Sequence, residues 1–241
     1  MSVKPKKVRL LQLYPHQMNI YGDRGNALAI IKRLEWHGYQ PELVYHHPGG
    51  QFPDQVDLVI GGGGQDSGQE KVQSDLQLIG PELHRLAEDG VPMLMICGLY
   101  QLFGRFFKTA EGKIIKGIGL LAAETHAGPK RLIGNILINS DFGEIIGYEN
   151  HSGQTFLDDP SQALGTVIKG AGNNGADKTE GARYQNVIGS YLHGSLLPKN
   201  PILADWLIER AVTRRFGEFG GNVIDDGFAH AARRAAKARP R

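Results

Sequence analysis

Residues 91–107, VPMLMICGLYQLFGRFF, constrain the fold of this chain more than any other stretch. Positions 91–96 are a short, almost wholly apolar run that suits a strand buried on both faces of a parallel sheet, and positions 99–107 carry apolar residues at helical spacing. Cys97 therefore falls on the turn between them. Such a turn lifts a nucleophile above the sheet edge, leaves Gly98 at the corner without a side chain, and lets the following backbone N–H face a developing oxyanion. The positive end of the helix predicts a thiol more acidic than the free value of about 8.5. A lone free cysteine is also a common small buried hydrophobe, and the turn by itself supports both readings.

The residues before this stretch alternate in the same way. Positions 8–14 read as a first strand and positions 19–25 (NIYGDRG) as a loop. Positions 26–37 give a helix with Leu28, Ile31, Leu34 and Trp36 on its apolar face and Gly38 as its stop. Positions 42–46 and 56–60 are further strands, the second (VDLVI) running straight into four glycines at 61–64. Positions 74–89 are helical, with Leu76, Ile79, Leu83 and Leu86 on one face and Gly80 and Pro81 placed to split it. Strands alternating with helices at this interval indicate a parallel sheet covered on both faces, with ligands gathered at the carboxyl ends of the strands.

Beyond position 108 the texture changes. Short strand candidates at 113–119, 132–139, 144–148 and 166–169 are separated by glycine and asparagine turns such as KGAGNNG, which indicates a meander or an antiparallel extension of the sheet. Positions 186–192 are another strand, ending at His193, and positions 201–216 and 225–236 are helices. No long linker or internal repeat divides residues 1–241, so one domain is expected. The 33 glycines, about twice the usual share of roughly 7%, call for many tight turns. One cysteine excludes an internal disulfide and indicates a reducing, cytoplasmic compartment. A net charge of +2 gives no reason to expect nucleic acid. The basic start, MSVKPKK, leads into an alternating run rather than a signal core, and no apolar run approaches the roughly 18 residues of a membrane span.

Three of these features share one sheet edge. The glycines at 61–64 follow a strand, so their N–H groups suit a phosphate nest or an oxyanion donor. The phosphate reading lacks a following Gly-Lys-Ser/Thr, and Ser67 breaks the dinucleotide spacing. His193 also follows a strand, where an imidazole could take the proton of Cys97. Most of the nine histidines are expected to be solvated or structural.

Gly61 to Gly64, Ile96-Cys97-Gly98-Leu99-Tyr100-Gln101, Gly147-Tyr148-Glu149-Asn150-His151 and Tyr191-Leu192-His193-Gly194 together resemble class I glutamine amidotransferase domains of the cobyric acid synthase type. The resemblance runs in order along nearly the whole chain. The stretches Leu13-Tyr14-Pro15 with Asn19 to Asn26, Glu149 to Gly153, and His193 to Pro201 resemble most the glutaminase subunits of lipid II isoglutaminyl synthases. This likeness implies a flavodoxin-like, mostly parallel sheet with helices on both faces and an antiparallel extension. It also implies that Cys97 attacks the side-chain amide of L-glutamine, giving a γ-glutamyl thioester and ammonia. His193 would be the base, the backbone of Gly63 and Gly98 the oxyanion hole, Gln101 a wall of the glutamine pocket, and Arg131 the grip on the substrate carboxylate. An exposed arginine with no such role is the plain alternative for Arg131.

Where fuller triads carry a glutamate two residues after the histidine, this chain has Ser195. The resemblance thus leaves a Cys97–His193 dyad or a carboxylate from a partner. The implied partner is a Mur-ligase-like, ATP-dependent synthetase subunit in a heterodimer, which amidates the D-glutamate α-carboxylate of lipid II to D-isoglutamine. No cofactor, metal, nucleic acid or membrane insertion is implied, and the isolated chain is expected to be slow. The alternatives are an amidotransferase subunit for a cobyrinate-type synthetase and a non-catalytic α/β module with a reactive thiol.

Overall fold

The computed structural model describes residues 6–239, so the first five residues of the basic start and residues 240–241 lie outside the described residues. Twelve strands follow in chain order: β1 (Lys7–Leu13), β2 (Gln40–His46), β3 (Leu58–Gly61), β4 (Met93–Ile96), β5 (Phe106–Lys108), β6 (Ile114–Lys116), β7 (Ala123–Ser140), β8 (Gly143–Leu157), β9 (Gly165–Lys169), β10 (Thr179–Glu180), β11 (Ala182–Tyr184) and β12 (Val187–Ser190). Six helices accompany them: α1 (Arg24–Trp36), α2 (Asp66–Glu88), α3 (Gly98–Phe103), α4 (Leu196–Lys199), α5 (Pro201–Phe216) and α6 (Gly227–Lys237).

The first sheet has the order β11-β12-β4-β3-β1-β2, and every neighbouring pair except β11 with β12 is parallel. Strands β3 and β4 are buried at every position, as strands covered on both faces must be. The register sets Leu13 beside Gly61, Gly61 beside Met95, and Ile96 beside Ser190. One edge therefore collects the loop after β1, the glycines after β3, Cys97 after β4 and His193 after β12. Helix α1 contacts α4 and α5 while α2 contacts α3, so two helix groups cover the sheet.

The antiparallel strands stand as a second sheet, β10-β9-β7-β5-β6 with β8 on β7. Its spine is the long β7–β8 hairpin, whose register breaks between Ala127 and Leu132. An irregularity of this kind re-aims the side chains it carries, and Arg131 lies within it. The two sheets meet where the backbone N–H of His193 donates to the Tyr148 carbonyl at 2.7 Å.

Several elements differ from the sequence reading. Helix α2 starts at Asp66 and runs through Pro81 unbroken, because Val72, Leu76, Ile79, Leu83 and Leu86 bury one stripe on either side of the proline. The buried stripe of α1 is Ala27, Ile30 and Leu34 together with Arg33, whereas Leu28 and Trp36 are exposed. Buried Arg33 pairs with Asp205 and Asp226, which ties α1 to α5 and to the start of α6. Helix α3 ends at Phe103 and the chain turns into β5, so the helical pattern over 99–107 spans two elements. On α6, Lys237 pairs with Glu144, and Arg233 donates to the Glu144 carbonyl and to Asn200.

Candidate active site

Cys97 stands between β4 and α3 with φ 51° and ψ −103°, a conformation that a side chain adopts at a cost of about 1–3 kcal/mol and that a strand-to-helix elbow imposes. The turn is fixed on both sides. The N–H of Cys97 donates to Ser190 at 2.8 Å, its carbonyl accepts from Gln101 at 3.0 Å, and the N–H of Leu99 donates to Gly62 at 3.3 Å. Gly98 is required here, because a Cβ would fall 3.0 Å from the backbone nitrogen of Gly64 and 2.7 Å from Met18.

Gly63 separates the nucleophile from the histidine. A Cβ at Gly63 would lie 3.1 Å from the Cβ of Cys97 and 3.1 Å from Cε1 of His193, so those two atoms are at most twice that distance apart. The structure thus brings Cys97, His193, Gly63 and Gly98 to one point. His193 is 1% exposed, and neither ring nitrogen has a hydrogen-bond partner among the described residues. Burial, then His151 and Arg131, lower its pKa to about 3, so the ring is a neutral acceptor. The ring of Tyr21 packs against it at 4.4 Å. Ser195, two residues on, donates instead to the Gly22 carbonyl at 3.1 Å.

The thiol departs from the sequence expectation. Burial pushes its pKa up, the field of Asp23 adds to that, and the opposing pull of the Gly98 N–H and of Arg131 is smaller. A helix of six residues offers a weak dipole against a site this dry.

Asp23 was not singled out from sequence. It is 3% exposed, and one carboxylate oxygen accepts the Gly63 N–H at 2.7 Å while the other has no partner among the described residues. Burial raises its pKa to about 6. The Gly63 N–H expected to hold an oxyanion is therefore engaged with a carboxylate, whereas the Gly98 N–H faces the sulfur of Cys97. The available signal was position: Asp23 lies in the loop after β1, on the same edge as Cys97.

A cavity of about 390 Å³ opens onto Cys97, with Arg131, Gln101, Tyr21 and His151 on its wall. Gln101 is held by Gln69, which donates to its carbonyl at 2.7 Å, and donates in turn to the Tyr191 hydroxyl at 3.0 Å. Arg131 donates to Asn150 at 2.8 Å and to the Tyr21 hydroxyl at 3.2 Å. His151 stacks on Tyr191 at 3.6 Å, bonds the Gly153 carbonyl through Nδ1 at 2.7 Å, and is held neutral by burial, with its pKa lowered to about 4. No group of three or more metal-ligating side chains occurs among the described residues. No helix among them is long and apolar enough to cross a membrane.

Residues 9–201 match the CobB/CobQ-like glutamine amidotransferase domain, and the chain belongs to that family of enzymes. Among curated proteins, it is 39% identical over 212 residues to the lipid II isoglutaminyl synthase (glutamine-hydrolyzing) subunit GatD of Staphylococcus aureus, covering 87% of this chain and 86% of that one. The GatD subunit of Streptococcus pneumoniae is 37% identical over 221 residues, covering 89% and 84%. A probable cobyric acid synthase of Methanothermobacter thermautotrophicus is 29% identical over 204 residues, 76% of this chain and 38% of that protein. A solved glutamine amidotransferase superposes with a TM-score of 0.57 at 15% identity, covering 83% of this chain and 98% of that one, which shows the shared class I fold.

Proposed function

We propose that this chain, over residues 1–241, is the glutaminase subunit of a lipid II isoglutaminyl synthase. It would release ammonia from L-glutamine in the cytoplasm for a Mur-ligase-like, ATP-dependent subunit. The meeting of Cys97 and His193 across Gly63, at the end of a cavity that also presents Arg131, carries this reading. The names of the S. aureus and S. pneumoniae relatives favour D-isoglutamine formation as the use of the ammonia.

In this mechanism Arg131 holds the glutamine α-carboxylate and Gln101 shapes the side-chain channel. The sulfur of Cys97 attacks the amide carbon as His193 takes the thiol proton, and the carbonyl oxygen turns toward the Gly98 N–H. Collapse expels ammonia, protonated by His193, and leaves a γ-glutamyl thioester. Water then cleaves the thioester to glutamate and restores the thiol. Because Asp23 holds the Gly63 N–H, recruiting Gly63 as a second oxyanion donor requires that contact to open. A carboxylate from the synthetase is the natural orienter for a histidine whose ring nitrogens have no partner among the described residues. The test is ammonia release from L-glutamine by the wild-type chain and by Cys97→Ser. Release by the wild type alone is expected, and equal release from both ends the glutaminase reading.

A further inference from the structure

The cavity beside Cys97 carries one fixed charge of each sign on its wall, Arg131 and Asp66. Asp66 is the first residue of α2, immediately beyond the glycine loop and the residue that follows it. Its carboxyl feels the field of Arg131, yet the two side chains form no ion pair with each other among the described residues. The other ionisable groups facing Asp66 are Glu70, which pairs with Lys113 at 2.8 Å, and Glu111, so this side of the mouth is negative. A guanidinium and a carboxylate that line one cavity without pairing to each other match the two charges of an α-amino acid, which lie on substituents of a single carbon.

Resting on the glutaminase reading, we propose that Asp66 receives the α-ammonium of the glutamine whose α-carboxylate Arg131 grips. Asp66 is then the residue that distinguishes the amino acid from carboxamides lacking an α-amino group, and Cys97 receives only a side chain anchored at both charges. The competing role for an aspartate here is structural: an acid in the first turn of a helix offsets its dipole and changes stability, without changing ligand choice.

Binding separates the two roles without depending on turnover. The Cys97→Ser protein, and the same protein carrying Asp66→Asn, are titrated calorimetrically with L-glutamine and with glutaramate, the same carboxamide without the α-amino group. The expected result is that Cys97→Ser binds glutamine at least about tenfold more tightly than glutaramate. Asp66→Asn then weakens glutamine by about 10- to 100-fold and leaves glutaramate within about twofold. An unchanged glutamine affinity, an equal loss for both ligands, or no preference for glutamine in the first place overturns the assignment. The glutaminase reading fails by a different observation, the absence of Cys97-dependent ammonia release from the wild-type chain.

Discussion

The nucleophile and the base of this site are built to different degrees. Cys97 is held by backbone hydrogen bonds before and after it, by a glycine with no room for a side chain, and by the strands on either side of β4. His193 has its backbone tied to Tyr148 and its ring against Tyr21, but neither ring nitrogen is oriented by any described residue. The contrast teaches that this chain fixes where attack occurs and leaves open which tautomer of the imidazole assists it. Asp23 sharpens the contrast, since this buried carboxylate makes its contact with Gly63 rather than with His193.

The largest expected loss comes from the better-built half. Cys97→Ala should lower glutamine turnover by about 10⁴-fold or more, since it removes the attacking sulfur. His193→Ala should cost about 10²–10⁴-fold, and a loss as small as a few-fold would show that the imidazole is a bystander. Gly63→Ala places a methyl 3.1 Å from both residues and should reduce kcat by roughly 10²-fold through misplacement alone, while the melting temperature changes little.

The smaller effects concern pH. Because burial and Asp23 hold the thiol up, iodoacetamide should label Cys97 in the free chain only at alkaline pH, and Asp23→Asn should move that profile to lower pH. An unmoved profile would remove Asp23 from the electrostatics of the thiol. The same variant has a stability signature. The folded pKa of Asp23, about 6, lies above its ordinary 3.8, so its ionisation destabilises the folded chain as pH rises through that window and has no effect below it. Asp23→Asn should therefore raise the melting temperature at pH 8, by an amount corresponding to at most about 3 kcal/mol, and leave it unchanged at pH 3.5.

What the sequence revealed follows from how local each signal is. The elbow at Cys97 was legible because a buried strand, a glycine and an apolar helix start are adjacent in the chain. Helix α5 was legible because Leu203, Trp206 and Leu207 recur within it at helical spacing. The acidity of the thiol was misread because the helix dipole is visible in sequence while desolvation by surrounding strands is not. Asp23 escaped notice because its partner, Gly63, is 40 residues away, and a hydrogen bond from a loop to a glycine nitrogen has no sequence pattern. The buried face of α1 was misassigned because Leu28 and Trp36 are apolar yet exposed, and Arg33 is charged yet buried between two aspartates.

On the proposed function, this glutaminase is completed and used by a second subunit. L-glutamine labelled with ¹⁵N in its side-chain amide, supplied with ATP and lipid II to this chain with and without a Mur-ligase-like partner, tests it most directly. The partner should accelerate glutamine hydrolysis by at least about tenfold, and the label should appear in the D-isoglutamine of lipid II only when Cys97 is intact. Full hydrolysis by the isolated chain, with no label reaching lipid II in the presence of the partner, would contradict it.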